Sequence, residues 1–360
     1  MQQVASKKIL IMAGGTGGHV FPALALAKEL CLRGCEVQWL GTSKGIEARL
    51  VPEHDIQLNQ LTITGVRGKG LVTLALAPFK LLHAIYEAVR VLKEFQPNVV
   101  VGMGGYASGP GGIAAWMMRI PLLIHEQNAV AGTTNKWLSG FAKRVLTAFP
   151  DVLPKGEYVG NPIRQEIINI AAPDQRLAVG LKSLKILVLG GSLGAQALNE
   201  LIPKTVAAMQ TGESIEIKHQ TGARHLDSTL KIYNQCKLKA EVLPFIEEMA
   251  DVLAWADLVI CRSGALTVSE LSSAGVASIL VPFPYAIDDH QTANARWLAD
   301  NNAAFLKQQV ELTEQVLKEM IQQFLDQPEL KVTMAKAARA LSKPDATRIC
   351  AEACLELANG

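Results

Sequence analysis

Short apolar runs alternate with longer stretches in which apolar positions recur every three or four residues, and the rhythm persists through most of the 360 residues. The short runs, bounded by turn residues, read as buried strands; the longer period reads as amphipathic helix. In the first half the pattern predicts strands at Ile9–Ala13, Glu36–Leu40, Val99–Gly102, Leu122–His125 and Val145–Ala148, with Val20, Leu24, Ala27 and Leu30 marking the first helix. The second half predicts Ile186–Leu189, Ile215–His219, Glu241–Pro244, Leu258–Cys261 and Ser278–Val281, each followed by a helix. Strands that alternate with helices imply parallel sheets covered on both faces, an α/β fold. The segment Tyr158–Arg164, broken by Gly160 and Pro162, is the expected join between residues 1–163 and 164–343. A last helical pattern, Ala346–Leu357, restarts after Lys343-Pro344-Asp345 and is expected to pack back on the first domain.

One unit of this pattern occurs twice. Ile9–His19 (ILIMAGGTGGH) and Lys185–Ala195 (KILVLGGSLGA) each carry a strand into a Gly-rich turn and then into a helix. Glycine permits the tight turn and close approach of main-chain amides, and a helix start offers unpaired N–H groups to phosphate. Two such units suggest two similar α/β domains that hold a phosphorylated ligand.

Composition narrows the class. The chain is 49% hydrophobic and 19% charged, with net charge +2 and pI near 8.1, so it has no nucleic-acid-scale basic footprint. Cys31/Cys35 and Cys350/Cys354 have four-residue spacing on helical patterns, and neither pair makes a zinc set; reduced thiols are the expectation. No secretory signal pattern opens the chain and no stretch reaches the ~18 apolar residues of a membrane span, so a soluble or peripheral protein is expected. Leu71–Tyr86, flanked by Arg67, Lys69 and Lys80, reads either as a buried helix or as a segment lying on anionic lipid.

Candidate chemistry gathers at strand ends. His19 stands at the start of the first helix, where the positive helix end favours a neutral imidazole able to take a proton; a purely structural role is the alternative. Gly102–Gly112 (GMGGYASGPGG) has six glycines in eleven residues and reads as a loop approached by a ligand, with Tyr106 and Ser108 as polar contacts. His125-Glu126-Gln127-Asn128 reads as a polar site at a strand end. No second His completes a zincin motif, and no Asp-x-Asp is present to carry a metal-bound sugar nucleotide. Ser263 and Gly264 suit a helix cap that leaves the amides of Ala265–Thr267 facing an anion, and Glu270 follows as either a ribose contact or an ordinary solvated acid. Gln291 offers the donor and acceptor that sugar hydroxyls need, or belongs to a capping segment.

GGTGGH, GMGGYASGPGG, HEQN, GNPIR, GGSLGA and RSGALTVSE occur in the order and spacing of one family. On these motifs, which span nearly the whole chain, the sequence resembles the MurG family of UDP-N-acetylglucosamine:lipid I N-acetylglucosaminyltransferases of peptidoglycan synthesis. The resemblance implies two Rossmann-like domains whose parallel sheets face across a cleft, the glycosyltransferase B-type fold. The first domain would take lipid I and dock on the membrane; the second would hold UDP-N-acetylglucosamine. Carried over by position, Ser192 would contact phosphate, and Arg164 and Ile246 would lie near uridine. Ala265, Leu266, Thr267, Val268, Ser269 and Glu270 would bind diphosphate and ribose, with Gln291 and Asn128 on the sugar hydroxyls. Thr16, Gly17 and Gly18 would complete the cleft, with His19 as the base and Glu126 in reserve. Between Pro282 and Gln291 the form PFPYAIDDHQ belongs to only part of that family.

The resemblance implies inverting transfer to the 4-hydroxyl of the muramic acid of lipid I, with no metal and no cofactor, by a peripheral protein on the cytoplasmic face of a bacterial inner membrane. Rival readings are a UDP-N-acetylglucosamine 2-epimerase, which would need no lipid acceptor, and a sugar-nucleotide binding protein that releases no UDP. An NAD-dependent oxidoreductase would need a Gly-x-Gly-x-x-Gly turn and an acid after the second strand, where this chain has Gly41-Thr42.

Overall fold

The computed structural model of the chain describes residues 6–63, 77–177, 183–191, 194–209 and 214–360. The Cα framework divides into two units, residues 1–164 with 343–360, and residues 165–342. In the first, β1 (Lys8–Met12), β2 (Glu36–Thr42), β3 (Gln57–Leu61), β4 (Val99–Gly102), β5 (Leu122–Glu126), β6 (Arg144–Thr147) and β7 (Glu157–Tyr158) form one parallel sheet. Their spatial order is β3-β2-β1-β4-β5-β6-β7. Central strands are apolar at most positions, as in Ile9–Met12 and Val99–Val101, because both faces are covered. Ile9, Ile11, Val99 and Val101 face the layer of helices Gly17–Leu32 and Ala346–Asn359. Leu10, Met12 and Val100 face that of Ala77–Phe95 and Ser108–Met117.

The second unit repeats the plan with β8 (Leu184–Leu189), β9 (Ile215–Gln220), β10 (Glu241–Leu243), β11 (Leu258–Cys261), β12 (Ala277–Leu280) and β13 (Ala304–Leu306), in the order β10-β9-β8-β11-β12-β13. In each sheet strand order reverses beside the first strand of the unit, between β1 and β4 and between β8 and β11. Loops leaving such a point diverge and open a crevice outside the carboxyl ends of the strands. The four loops that start there carry the glycine and Ser-Gly motifs of the sequence.

Two sequence expectations need correction. Gly102–Gly112 is not loop throughout: helix Ser108–Met117 begins within it. A methyl on Gly111 would stand 2.3 Å from Met12 Sδ, and one on Gly112 would stand 2.7 Å from Leu138 Cδ2, so these glycines let a helix press onto the sheet and its neighbour. Cys35 also lies outside the helix that holds Cys31, which ends at Leu32 before Gly34 turns the chain at φ 79°.

Arg176 holds the far end of the second unit's site helix, Ala265–Ala274. Its guanidinium donates to the carbonyls of Ala254, Ala256 and Gly275 at 3.1, 3.0 and 2.7 Å, satisfying oxygens at or beyond two helix ends. Among the described residues no helix is long and apolar enough to cross a membrane.

Candidate active site

In the first unit β1 delivers Ala13 and Gly14 into a turn closed by Glu47, a fully buried carboxylate. Its Oε2 accepts from Gly15 N at 2.9 Å, and its Oε1 from Thr42 N at 3.0 Å and Thr42 Oγ1 at 2.7 Å. A methyl on Gly14 would stand 2.5 Å from Glu47 Oε1, so glycine here makes room for a carboxylate of the protein itself. The Gly15 amide, in the turn expected to bring main-chain amides close to a ligand, is thereby already engaged. Sequence reasoning missed Glu47; its signal is the pair Gly41 and Gly45, where added methyls would also collide with its side chain.

Helix Gly17–Leu32 starts after Thr16, which is exposed and makes no side-chain cap, and presents His19 half-buried in its first turn. Gly104, with φ at 96°, lies against that ring: a methyl there would come within 2.8 Å of His19 Cε1 and Nδ1. His19 Nδ1 is 2.8 Å from Gln127 Oε1. Gln127 Nε2 is 3.1 Å from His125 Nδ1 and donates to the His125 carbonyl at 3.0 Å, and His125 Nε2 is 2.8 Å from the Gly160 carbonyl. Four segments of the first unit thus meet on one chain of contacts that ends at His19. Burial lowers His125 to about 4, so its ring is neutral at physiological pH.

His125, Glu126 and Gln127 of the polar site expected at this strand end are buried, and of the four only Asn128 is partly exposed. Glu126 accepts from Asn128 N at 2.9 Å, Gly132 N at 3.1 Å and Asn135 Nδ2 at 2.9 Å. Both its oxygens hold the turn after β5, which fits it poorly for taking a proton from a substrate. Ser108 is likewise buried, donating towards Met12 O and Gly104 O at 3.0 and 2.8 Å, so it ties the two loops together instead of facing a ligand. Tyr106 and Arg164 are exposed, Asn128 is half-buried, and Gly17 and Gly18 lie partly open beside His19.

In the second unit the Gly190 amide donates to Gln220 O at 3.0 Å; Ser192 lies outside the described residues. Ile246 is buried, with its amide on Gln220 Oε1 at 3.0 Å. Gly264 is the N-cap of helix Ala265–Ala274 and gives no side-chain cap, while Ser263 Oγ turns away to the Gln291 carbonyl at 2.8 Å. The helix therefore opens with first-turn amides free of any side-chain cap. Leu266, Thr267 and Ser269 are partly exposed; Ala265, Val268 and Glu270 are buried, Val268 with no exposed surface. Gln291 Oε1 accepts from Phe283 N at 2.9 Å, so the side chain expected to offer both donor and acceptor has its acceptor engaged.

Two Rossmann-like units with glycine loops at their switch points, one carrying a half-buried imidazole and the other an uncapped helix start, have the architecture of the glycosyltransferase B-type fold. Residues 9–147 match the glycosyltransferase family 28 N-terminal domain and residues 185–348 the glycosyltransferase family 28 C-terminal domain. The chain belongs to glycosyltransferase family 28. It is 50% identical over 357 residues, 98% of both chains, to the UDP-N-acetylglucosamine--N-acetylmuramyl-(pentapeptide) pyrophosphoryl-undecaprenol N-acetylglucosamine transferase of Marinobacter nauticus. The enzyme of the same description from Azotobacter vinelandii is 51% identical over 358 residues, 98% of this chain and 99% of that one. The crystal structure of Acinetobacter baumannii MurG superposes with a TM-score of 0.85 at 44% identity, covering 97% of this chain and 99% of that one.

Proposed function

We propose that this chain transfers N-acetylglucosamine from UDP-N-acetylglucosamine to the 4-hydroxyl of the N-acetylmuramic acid of lipid I, forming lipid II for peptidoglycan with inversion at the anomeric carbon. The observation that carries the reading is the half identity, over almost the full length, to relatives named for that transfer. The site chemistry supports it. The second unit takes the sugar nucleotide: the first-turn amides of Ala265–Thr267 receive the diphosphate, where negative charge grows as UDP departs. Glu270 and Ile246 lie on the ribose and uridine side, and a sugar hydroxyl at Gln291 meets its amide nitrogen, because the oxygen is held by Phe283. The first unit takes lipid I, and His19 accepts the proton of the attacking hydroxyl, a step worth ~10²–10⁴-fold.

The acceptor is a membrane lipid, and the protein meets it as a peripheral protein at the cytoplasmic face. Phe79, Leu82 and Tyr86 on helix Ala77–Phe95 are more than 60% exposed, and Trp116, Met117 and Trp137 are exposed on neighbouring helices. Lys80, Arg119 and Lys136 stand on or beside the same helices, each worth about 1 kcal/mol at an anionic surface. Residues 71–76 of the segment singled out in the sequence, with Arg67 and Lys69, lie outside the described residues.

Radiolabelled N-acetylglucosamine supplied as its UDP conjugate is expected to move onto a lipid I analogue with release of UDP. Conversion of the donor to its 2-epimer without acceptor, or UDP binding with no turnover, would replace the reading. Phe79→Glu with Leu82→Glu is expected to abolish co-sedimentation with phosphatidylglycerol vesicles while sparing transfer to a detergent-soluble acceptor; undiminished sedimentation would rule out this face.

A further inference from the structure

We propose that Gln127 is the positioning residue that fixes His19 as its Nδ1–H tautomer, leaving the lone pair of the neutral ring on Nε2; this rests on reading His19 as the group that takes the acceptor proton. Two main-chain carbonyls determine every proton in the chain of contacts. Gly160 O is 2.8 Å from His125 Nε2, and a carbonyl oxygen only accepts, so Nε2 carries hydrogen. With His125 neutral, its Nδ1 is bare. Gln127 meets that Nδ1 at 3.1 Å and the His125 carbonyl at 3.0 Å, both acceptors, which places the amide NH₂ there and the amide oxygen on the opposite side. The oxygen faces His19 Nδ1 at 2.8 Å and only accepts, so His19 Nδ1 donates.

The surroundings make this arrangement rigid. Gln127 is fully buried, and its main-chain oxygen accepts from Asn161 Nδ2 at 3.1 Å. Gly104 packs against the Nδ1–Cε1 part of the His19 ring, where an added methyl would come within 2.8 Å. Free histidine in water favours the opposite tautomer, with its proton on Nε2, and in that form Nε2 could accept nothing. A neutral amide imposes the useful tautomer without setting a negative charge behind the ring, unlike a carboxylate partner.

The test is long-range ¹H–¹⁵N correlation of the full chain labelled with ¹⁵N-histidine, at mildly alkaline pH, the His19 signals being those lost in His19→Ala. The wild-type ring is expected to show a protonated Nδ1 and a bare Nε2. Gln127→Leu is expected to move His19 towards the Nε2–H form and to lower kcat about tenfold, less than loss of the base itself, with KM for UDP-N-acetylglucosamine within about twofold of wild type. A wild-type His19 protonated on Nε2, or a Gln127→Leu chain that keeps the Nδ1–H signature, overturns the proposal. If the variant does not fold, the wild-type spectrum alone decides. Because the tautomer is read without substrate, absence of transfer by the wild-type chain would overturn the functional reading separately.

Discussion

The two units are built on one topological plan, yet each has a buried histidine that ends differently. In the first, His125 passes through Gln127 to a half-buried imidazole at a helix start. In the second, His219 closes in the core: its Nδ1 is 2.9 Å from Tyr233 Oη and its Nε2 is 3.0 Å from Asn199 Oδ1, whose amide nitrogen donates to Thr221 O. Burial lowers His219 to about 3, so it too is neutral. The turns contrast as well. A protein carboxylate already occupies the Gly15 amide, whereas the helix at Ala265 starts without a side-chain cap. The first turn thus commits its Gly15 amide to a side chain of the protein, and the second helix start commits none to its N-cap side chain. On the proposed reading one half of this shared scaffold does proton chemistry and the other binds diphosphate, and the two turns differ in what fills them.

The sharpest way to break this contrast is to remove each histidine. His19→Ala is expected to lower transfer ~10²–10⁴-fold with little change in stability, whereas His219→Phe should lower stability and leave kcat within about threefold. Equal effects of the two on kcat would show that the contrast carries no functional meaning.

Acid should affect the two units alike. The folded chain keeps His125 and His219 neutral, at about 4 and about 3, where the unfolded chain would bind a proton near 6.5. Protons therefore favour unfolding: stability is full above pH 6.5 and falls as pH drops towards those lower values. Between pH 7 and 5 each histidine is expected to remove about 2 kcal/mol, read from urea midpoints. His219→Phe should show about half of this histidine-dependent slope; an unchanged slope would mean that His219 is not held neutral.

The smallest effect sharpens the comparison of the turns. Glu47→Gln keeps the size of the side chain but loses its charge and one acceptor, and is expected to destabilise the first unit by about 1.5–3 kcal/mol. Urea unfolding with a probe in each unit should confine the loss to the first.

What the sequence revealed follows from which forces are local. β1, β4, β8 and β11 are legible because double-sided burial makes nearly every position apolar, Lys8 and Lys185 excepted. β3, with the edge sequence Gln57–Leu61, and the short β7 and β13 bury too little to leave a pattern. His19 is legible from its helix start. Gln127 is not, because its partner lies 108 positions away and only the fold brings them together. The glycines at 111 and 112 misled because their role is steric contact with Met12 and Leu138, residues that no local pattern connects to them.

The helix Ala346–Asn359 completes the first unit's core through Cys350, Ala351 and Cys354, after the whole second unit has intervened in the chain. The second unit is in effect an insertion. During synthesis the second unit is complete before that helix is made, while the first unit waits with helix Gly17–Leu32 alone on one face of its sheet. A nascent chain thus carries His19, the base of the proposed reaction, in its less finished half until helix Ala346–Asn359 is made.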